Sequence, residues 1–87
     1  MNGALLVESF LEMMSAERGA ARNTLAAYRR DLEDYVGFLA ARGTDPRRSG
    51  RDLVVAWLER LAGEGLGASS SARKLSAVRQ FHGFLCA

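Results

Sequence analysis

Apolar residues return every three or four positions along this chain, the period of an α-helix, and no segment alternates strictly as a half-buried strand would. Four amphipathic segments follow. The first covers about residues 4–18, with Leu6, Phe10, Met13 and Met14 on one face and Glu8, Glu12 and Ser15 on another; its methionine pair reads as core filling. The second covers 24–42 and opens at an N-cap, Asn23 or Thr24. Leu25, Tyr28, Leu32, Tyr35, Val36 and Leu39 share its apolar side, and Ala26, Ala27 and Arg30 lie opposite at its first turns. The third covers 51–63 behind Ser49 and Asp52, which have capping-box spacing, and buries Leu53, Val54, Trp57, Leu58 and Leu61. The fourth covers 70–86 from a start at Ser69 or Ser70, with Leu75, Val78, Phe81 and Leu85 inward.

Glycine punctuates these segments. Gly19 and Gly43 follow the first two, "GTDPRRSG" is a surface loop rich in turn formers, and "GEGLG" ends the third. The expected fold is all-α: one domain over 1–87, a four-helix orthogonal bundle of two helical hairpins. A weak echo at an offset of 46 residues supports the hairpins, pairing Gly19, Thr24, Leu32, Tyr35, Phe38 and Leu39 with Gly65, Ser70, Val78, Phe81, Phe84 and Leu85. Chance likeness between amphipathic helices is the competing explanation.

With 48% apolar and 25% charged residues and one proline, the chain has the composition of a folded domain. Its lone Cys86 cannot pair internally, and the apolar N-terminal run is broken by Glu8 and Glu12 with no basic lead-in, which fits neither a signal peptide nor a membrane span. A reducing cytoplasm is the expected setting. The net charge of +2 is small, but its distribution is uneven: all ten acids lie at or before Glu64, so Arg73, Lys74 and Arg79 have no acid in their own segment. The abundance of arginine itself can reflect a GC-rich coding sequence.

The search for catalytic groups is short. His82 is the only imidazole, and its helical position beside Leu75 and Val78 reads as a partly buried structural histidine. No nucleophilic triad can be assembled, Cys86 lacks an activating base, and no Cys/His cluster suits a metal, so neither metal nor cofactor is expected. Asp31, Glu33 and Asp34 read as a solvated face pairing locally with Arg29 and Arg30. "GEGLG" lacks the lysine and spacing of a phosphate loop.

Binding is what remains. Helix starts at Thr24 and Ser70 would present free amides and the positive end of the dipole to a phosphate, although ordinary capping needs the same residues. Arg73, Ser76 and Gln80, spaced i, i+3, i+7, project from one face of the fourth segment, where arginine can meet guanine and glutamine adenine, and small Ala77 would permit close approach. A solvated helix face is the plain alternative, but such faces normally mix both signs of charge.

The stretches "ERG", "NTLAAYRRDL" and "SARKLSAVRQFHGFL", in this order, resemble the N-terminal core-binding domain of tyrosine recombinases, the SAM-like integrase N-terminal domain, and are nearest to the Xer type. The likeness runs from about Leu5 to Leu85. Departures fall at the helix starts: Ser69 stands where the family often has a base, Ser71 where it favours an aliphatic residue, and "GAARN" replaces its usual Leu-Ser. The resemblance implies half of a clamp around double-stranded DNA, with the second and fourth helices crossing the major groove of a recombination half-site. Carried over by position, Thr24 and Ser70 would touch phosphates. Ala27, Arg30, Arg73, Ser76 and Gln80 would lie at the groove, and Lys74 and Arg79 would flank it. Recombinase protomers on DNA are the implied protein partners, with the isolated domain a monomer or weak dimer and no membrane involved.

The family's nucleophilic tyrosine belongs to a separate C-terminal domain that this sequence does not include, and Tyr28 and Tyr35 fall on an apolar face. The chain is therefore expected to bind DNA without cutting it. A reading from another class, a small helical protein-interaction module, would need an exposed apolar patch, for which Phe38 and Phe84 are the candidates.

Overall fold

Three left-handed glycines set the length of the first three helices. Gly19, Gly43 and Gly65 have φ of 59°, 73° and 87°, a region that costs other residues a Cβ clash. At Gly43 and Gly65 the closure is the double hydrogen bond of a Schellman motif: Thr44 N–H to the Leu39 carbonyl with Gly43 N–H to Ala40, and Leu66 N–H to Leu61 with Gly65 N–H to Ala62. The computed structural model describes residues 3–86, and Met1, Asn2 and Ala87, at the ends of the single domain expected over 1–87, lie outside it. Its helices are α1 (Gly3–Arg18), α2 (Arg22–Ala41), α3 (Arg51–Gly63) and α4 (Ala68–Cys86).

The all-α class and the pairing of α1 with α2 and of α3 with α4 are as expected from the periodicity. In addition, α2 and α4 each pack against all three other helices, whereas α1 and α3 do not meet. The central pair α2–α4 thus carries one flanking helix on each side. Leu6, Phe10 and Met14 from α1, Leu32, Tyr35 and Leu39 from α2, Trp57 and Leu61 from α3, and Val78 and Phe81 from α4 form one buried cluster. Phe10 is fully buried and meets Phe81 edge-on at 5.6 Å and Phe84 at 5.7 Å between ring centroids.

The helix starts correct the sequence reading. Helix α2 is capped by Ala21 and α3 by Gly50, neither with a side-chain cap, so Asn23 and Thr24 lie inside α2 and the Ser49–Asp52 capping box does not form. Ser49 instead donates to the Pro46 carbonyl at 3.3 Å. Helix α4 begins at Ala68, which puts Ser69 and Ser70 inside its first turn. Tertiary packing and glycine geometry fix these ends ahead of hydroxyl preference.

Candidate nucleic-acid interface

The first turns of α2 and α4 are built in the same register. The first helical amide of α2 is Leu25 N–H, bonded to Ala21 O at 3.0 Å, and that of α4 is Ser71 N–H, bonded to Gly67 O at 3.0 Å. These pairs are 46 residues apart, the offset of the sequence echo. Thr24 and Ser70 are each the third residue of their helix, with hydroxyls that cap nothing and first-turn amides left without a helical acceptor. Thr24 is exposed and Ser70 half-buried.

The centre of the α2–α4 contact is Asp31. Far from lying on a solvated face with Arg29 and Arg30, it is 1% exposed and takes Arg73 Nε at 3.1 Å on Oδ2, Arg73 Nη2 at 3.0 Å on Oδ1, and Lys74 Nζ at 2.6 Å on Oδ1. The positive charge at the start of α4 is therefore opposed, by an acid from the neighbouring helix. Position explains it: Asp31 falls between Tyr28 and Tyr35 on the inward stripe of α2, a carboxylate in an apolar register that only paired cations make tolerable. The two cations differ in access, Arg73 being 45% exposed at its side chain and Lys74 14%. Of the rest of the acidic run, Glu33 is exposed on the solvated face expected of it, while Asp34 and the neighbouring Arg29 pair with other helices. Arg29 pairs with Glu8 of α1, and Asp34 accepts from Trp57 Nε1 at 2.9 Å and Arg60 Nη2 at 2.6 Å on α3.

One turn or more beyond Arg73, Gln80 gathers three partners. Its Nε2 donates to Tyr28 Oη at 3.1 Å and to Ser76 Oγ at 3.2 Å, and its Oε1 accepts from Arg18 Nη1 at 3.2 Å. Gln80 and Ser76 are thus brought together with two residues that the sequence does not mark as site residues, Arg18 and Tyr28, the latter expected only on the apolar side of α2. Ala77 is fully buried in the core, so close approach of a partner cannot be its role. Arg30 and Arg79 are exposed and, with Arg22 and Arg51, form no ion pair among the described residues. Ala27, on the turn before Asp31, is half-buried.

The remaining chemistry is structural. Tyr35 Oη lies 2.7 Å from His82 Nε2 and 3.3 Å from Ser49 Oγ. Burial pushes the His82 imidazole below its ordinary value and the Tyr35 phenol above its own, the hydrogen bond with Ser49 partly offsetting the latter. Phe38 is 7% exposed and Phe84 packs on Phe10, so the two do not form the apolar surface patch that a protein-interaction module would need. Among the described residues no group of His, Cys, Asp and Glu is arranged to hold a metal ion, and no helix is long and apolar enough to cross a membrane.

Residues 7–87 match the phage integrase N-terminal SAM-like domain. The chain belongs to this family. It is 58% identical over 84 residues to tyrosine recombinase XerD of Rhizobium meliloti (strain 1021), covering 97% of this chain and 27% of that protein. It is 46% identical over 83 residues to tyrosine recombinase XerD of Caulobacter vibrioides, covering 95% and 27%. It is 48% identical over 79 residues to tyrosine recombinase XerC of Erythrobacter litoralis, covering 91% and 24%. The integrase-type domain thus spans about a quarter of the length of the curated relatives it matches. No solved structure gives a significant match.

Proposed function

We propose that this integrase-type domain grips one recombination half-site of double-stranded DNA, as the non-cleaving part of a Xer-like tyrosine recombinase. The observation that carries the reading is its family membership over residues 7–87, with relatives named tyrosine recombinases. Three structural features support it. The starts of α2 and α4 offer equivalent sets of free amides beside Thr24 and Ser70, suited to phosphate oxygens. Arg30 and Arg79 are exposed cations without acidic partners among the described residues, suited to the DNA backbone. Arg73 and Ser76 are exposed on α4 with Gln80 half-buried beside them, and Ala27 would approach the groove from α2, while Lys74, 14% exposed and paired with Asp31, holds α4 in place and touches DNA at most from its edge.

Cleavage in such a protein falls to a tyrosine elsewhere in the parent. Partner protomers assemble on the same DNA, and the parent acts in the cytoplasm in chromosome dimer resolution and partition at cell division, or in integration of a mobile element. Fluorescence anisotropy of a labelled duplex at rising salt tests the core of this reading. Binding should be weak, and log affinity should fall linearly with log salt at a slope of about −0.9 per phosphate contacted. No binding to any duplex at low salt would sink the proposal.

A further inference from the structure

We infer that Asp31 is a positioning residue for base recognition, holding Arg73 so that its free edge reads a guanine in the major groove. This rests on the DNA-binding reading above. The carboxylate takes the side edge of the guanidinium, Nε–H and one Nη2–H, at 3.1 and 3.0 Å. A guanidinium has five N–H donors in a rigid plane, so three remain, two on Nη1 and one on Nη2, and planarity directs them away from Asp31. Asp31 is 1% exposed and the Arg73 side chain 45%, so the engaged edge is the inner one and the free edge faces solvent. That free edge presents two parallel N–H groups, the complement of the N7 and O6 acceptors of guanine.

The same edge could straddle a phosphate, but the surroundings favour a base. Asp31 cancels one of the two positive charges of Arg73 and Lys74, which weakens a grip that depends on charge. It leaves the direction of the N–H groups intact and removes rotamer freedom before any ligand arrives. Fixed direction serves discrimination between bases; a backbone contact requires charge alone. Lys74 at 2.6 Å completes the clamp by holding Oδ1 in place.

The test selects binders from a randomised duplex library with the wild-type chain, Asp31→Asn and Arg73→Lys, and then replaces the selected guanine by 7-deazaguanine. Wild type should enrich a guanine and lose roughly tenfold in affinity on the replacement. Both variants should lose that preference and become indifferent to 7-deazaguanine, while Arg73→Lys, which keeps the charge and its bridge to Asp31, should retain binding and salt dependence. If Asp31→Asn does not fold, as judged by its thermal melt, Arg73→Lys alone decides. A guanine preference that survives Arg73→Lys, or survives in a folded Asp31→Asn, overturns the inference and leaves the DNA reading standing. DNA binding by wild type with no base preference overturns it equally, in favour of a phosphate contact. No binding by wild type removes the DNA reading and this inference with it.

Discussion

Tyr35 and His82, 47 residues apart in sequence, are joined by a 2.7 Å hydrogen bond between the phenol oxygen and Nε2, with the two rings edge to face at 5.7 Å. One orientation satisfies the whole chain of groups: His82 Nε2–H donates to Tyr35, the Tyr35 hydroxyl to Ser49, and the Ser49 hydroxyl to the Pro46 carbonyl. The loop between α2 and α3 is thereby tied to α4 through two buried or half-buried rings.

Burial of this pair makes stability depend on pH at both ends. His82 is pushed below its ordinary 6.5 in the folded state, so the unfolded chain binds the proton first as pH falls. Stability should decline from about pH 6.5 downward until folded His82 also protonates. Tyr35 is pushed above its ordinary 10.0, so above that pH the unfolded chain ionises first and stability should fall again. Thermal melts across this range check both limbs, and His82→Gln should remove the acid-side contribution of this residue. An unchanged acid limb in that variant would show that other groups produce it.

Asp34 should matter for stability although it is far from a solitary buried charge. It accepts the indole N–H of Trp57, a fully buried residue, and a guanidinium N–H of Arg60. Asp34→Ala leaves the indole donor orphaned and should cost about 1–3 kcal/mol. Urea denaturation followed by tryptophan fluorescence gives both the loss and a changed Trp57 environment.

The aromatic contact at the α1–α4 junction contributes more to stability. Phe10 is fully buried and touches both Phe81 and Phe84. Phe10→Ala should cost about 3–5 kcal/mol. Against a total of about 5–15 kcal/mol for a domain, that leaves a chain substantially unfolded well below the wild-type melting temperature, visible by circular dichroism.

Exposed cations should act on DNA differently from Arg73. Arg30→Ala and Arg79→Ala should each leave helicity unchanged and weaken binding about equally for all sequences, reducing the salt slope by about 1. Anisotropy titrations at several salt concentrations measure the slope, and an unaltered slope would remove that arginine from the backbone contacts.

The legible and illegible parts of this fold divide along physical lines. Helical period and left-handed glycines are local, and they located all four helices and the closures at Gly19, Gly43 and Gly65. Helix starts were less legible, because hydroxyl residues at Thr24, Ser49 and Ser70 advertised caps, whereas Ala21 and Gly50 cap α2 and α3 and α4 already begins at Ala68. Charge pairing was the least legible. Asp31 finds Arg73 across 42 residues, and Gln80 finds Arg18 across 62, distances over which sequence spacing carries no register. A signal for Asp31 did exist: it sits three residues after Tyr28 and four before Tyr35, in the inward stripe, where an acid needs a buried partner. Gln80 and Ser76 were placed correctly on one helix edge, but the arginine from α1 that completes their network had no trace in the pattern.

Phe38 lies under two guanidinium groups, Arg42 at 4.2 Å and Arg60 at 5.3 Å from its ring centre. The consequence concerns how copies of the molecule behave toward each other in concentrated solution. These arginines act as charged lids, covering an aromatic edge that would be adhesive with hydrated guanidinium groups, one of them also paired to Asp34. Their loss would strip the cover from one ring and lower the net positive charge of +2 together, two changes that act in the same direction on solubility.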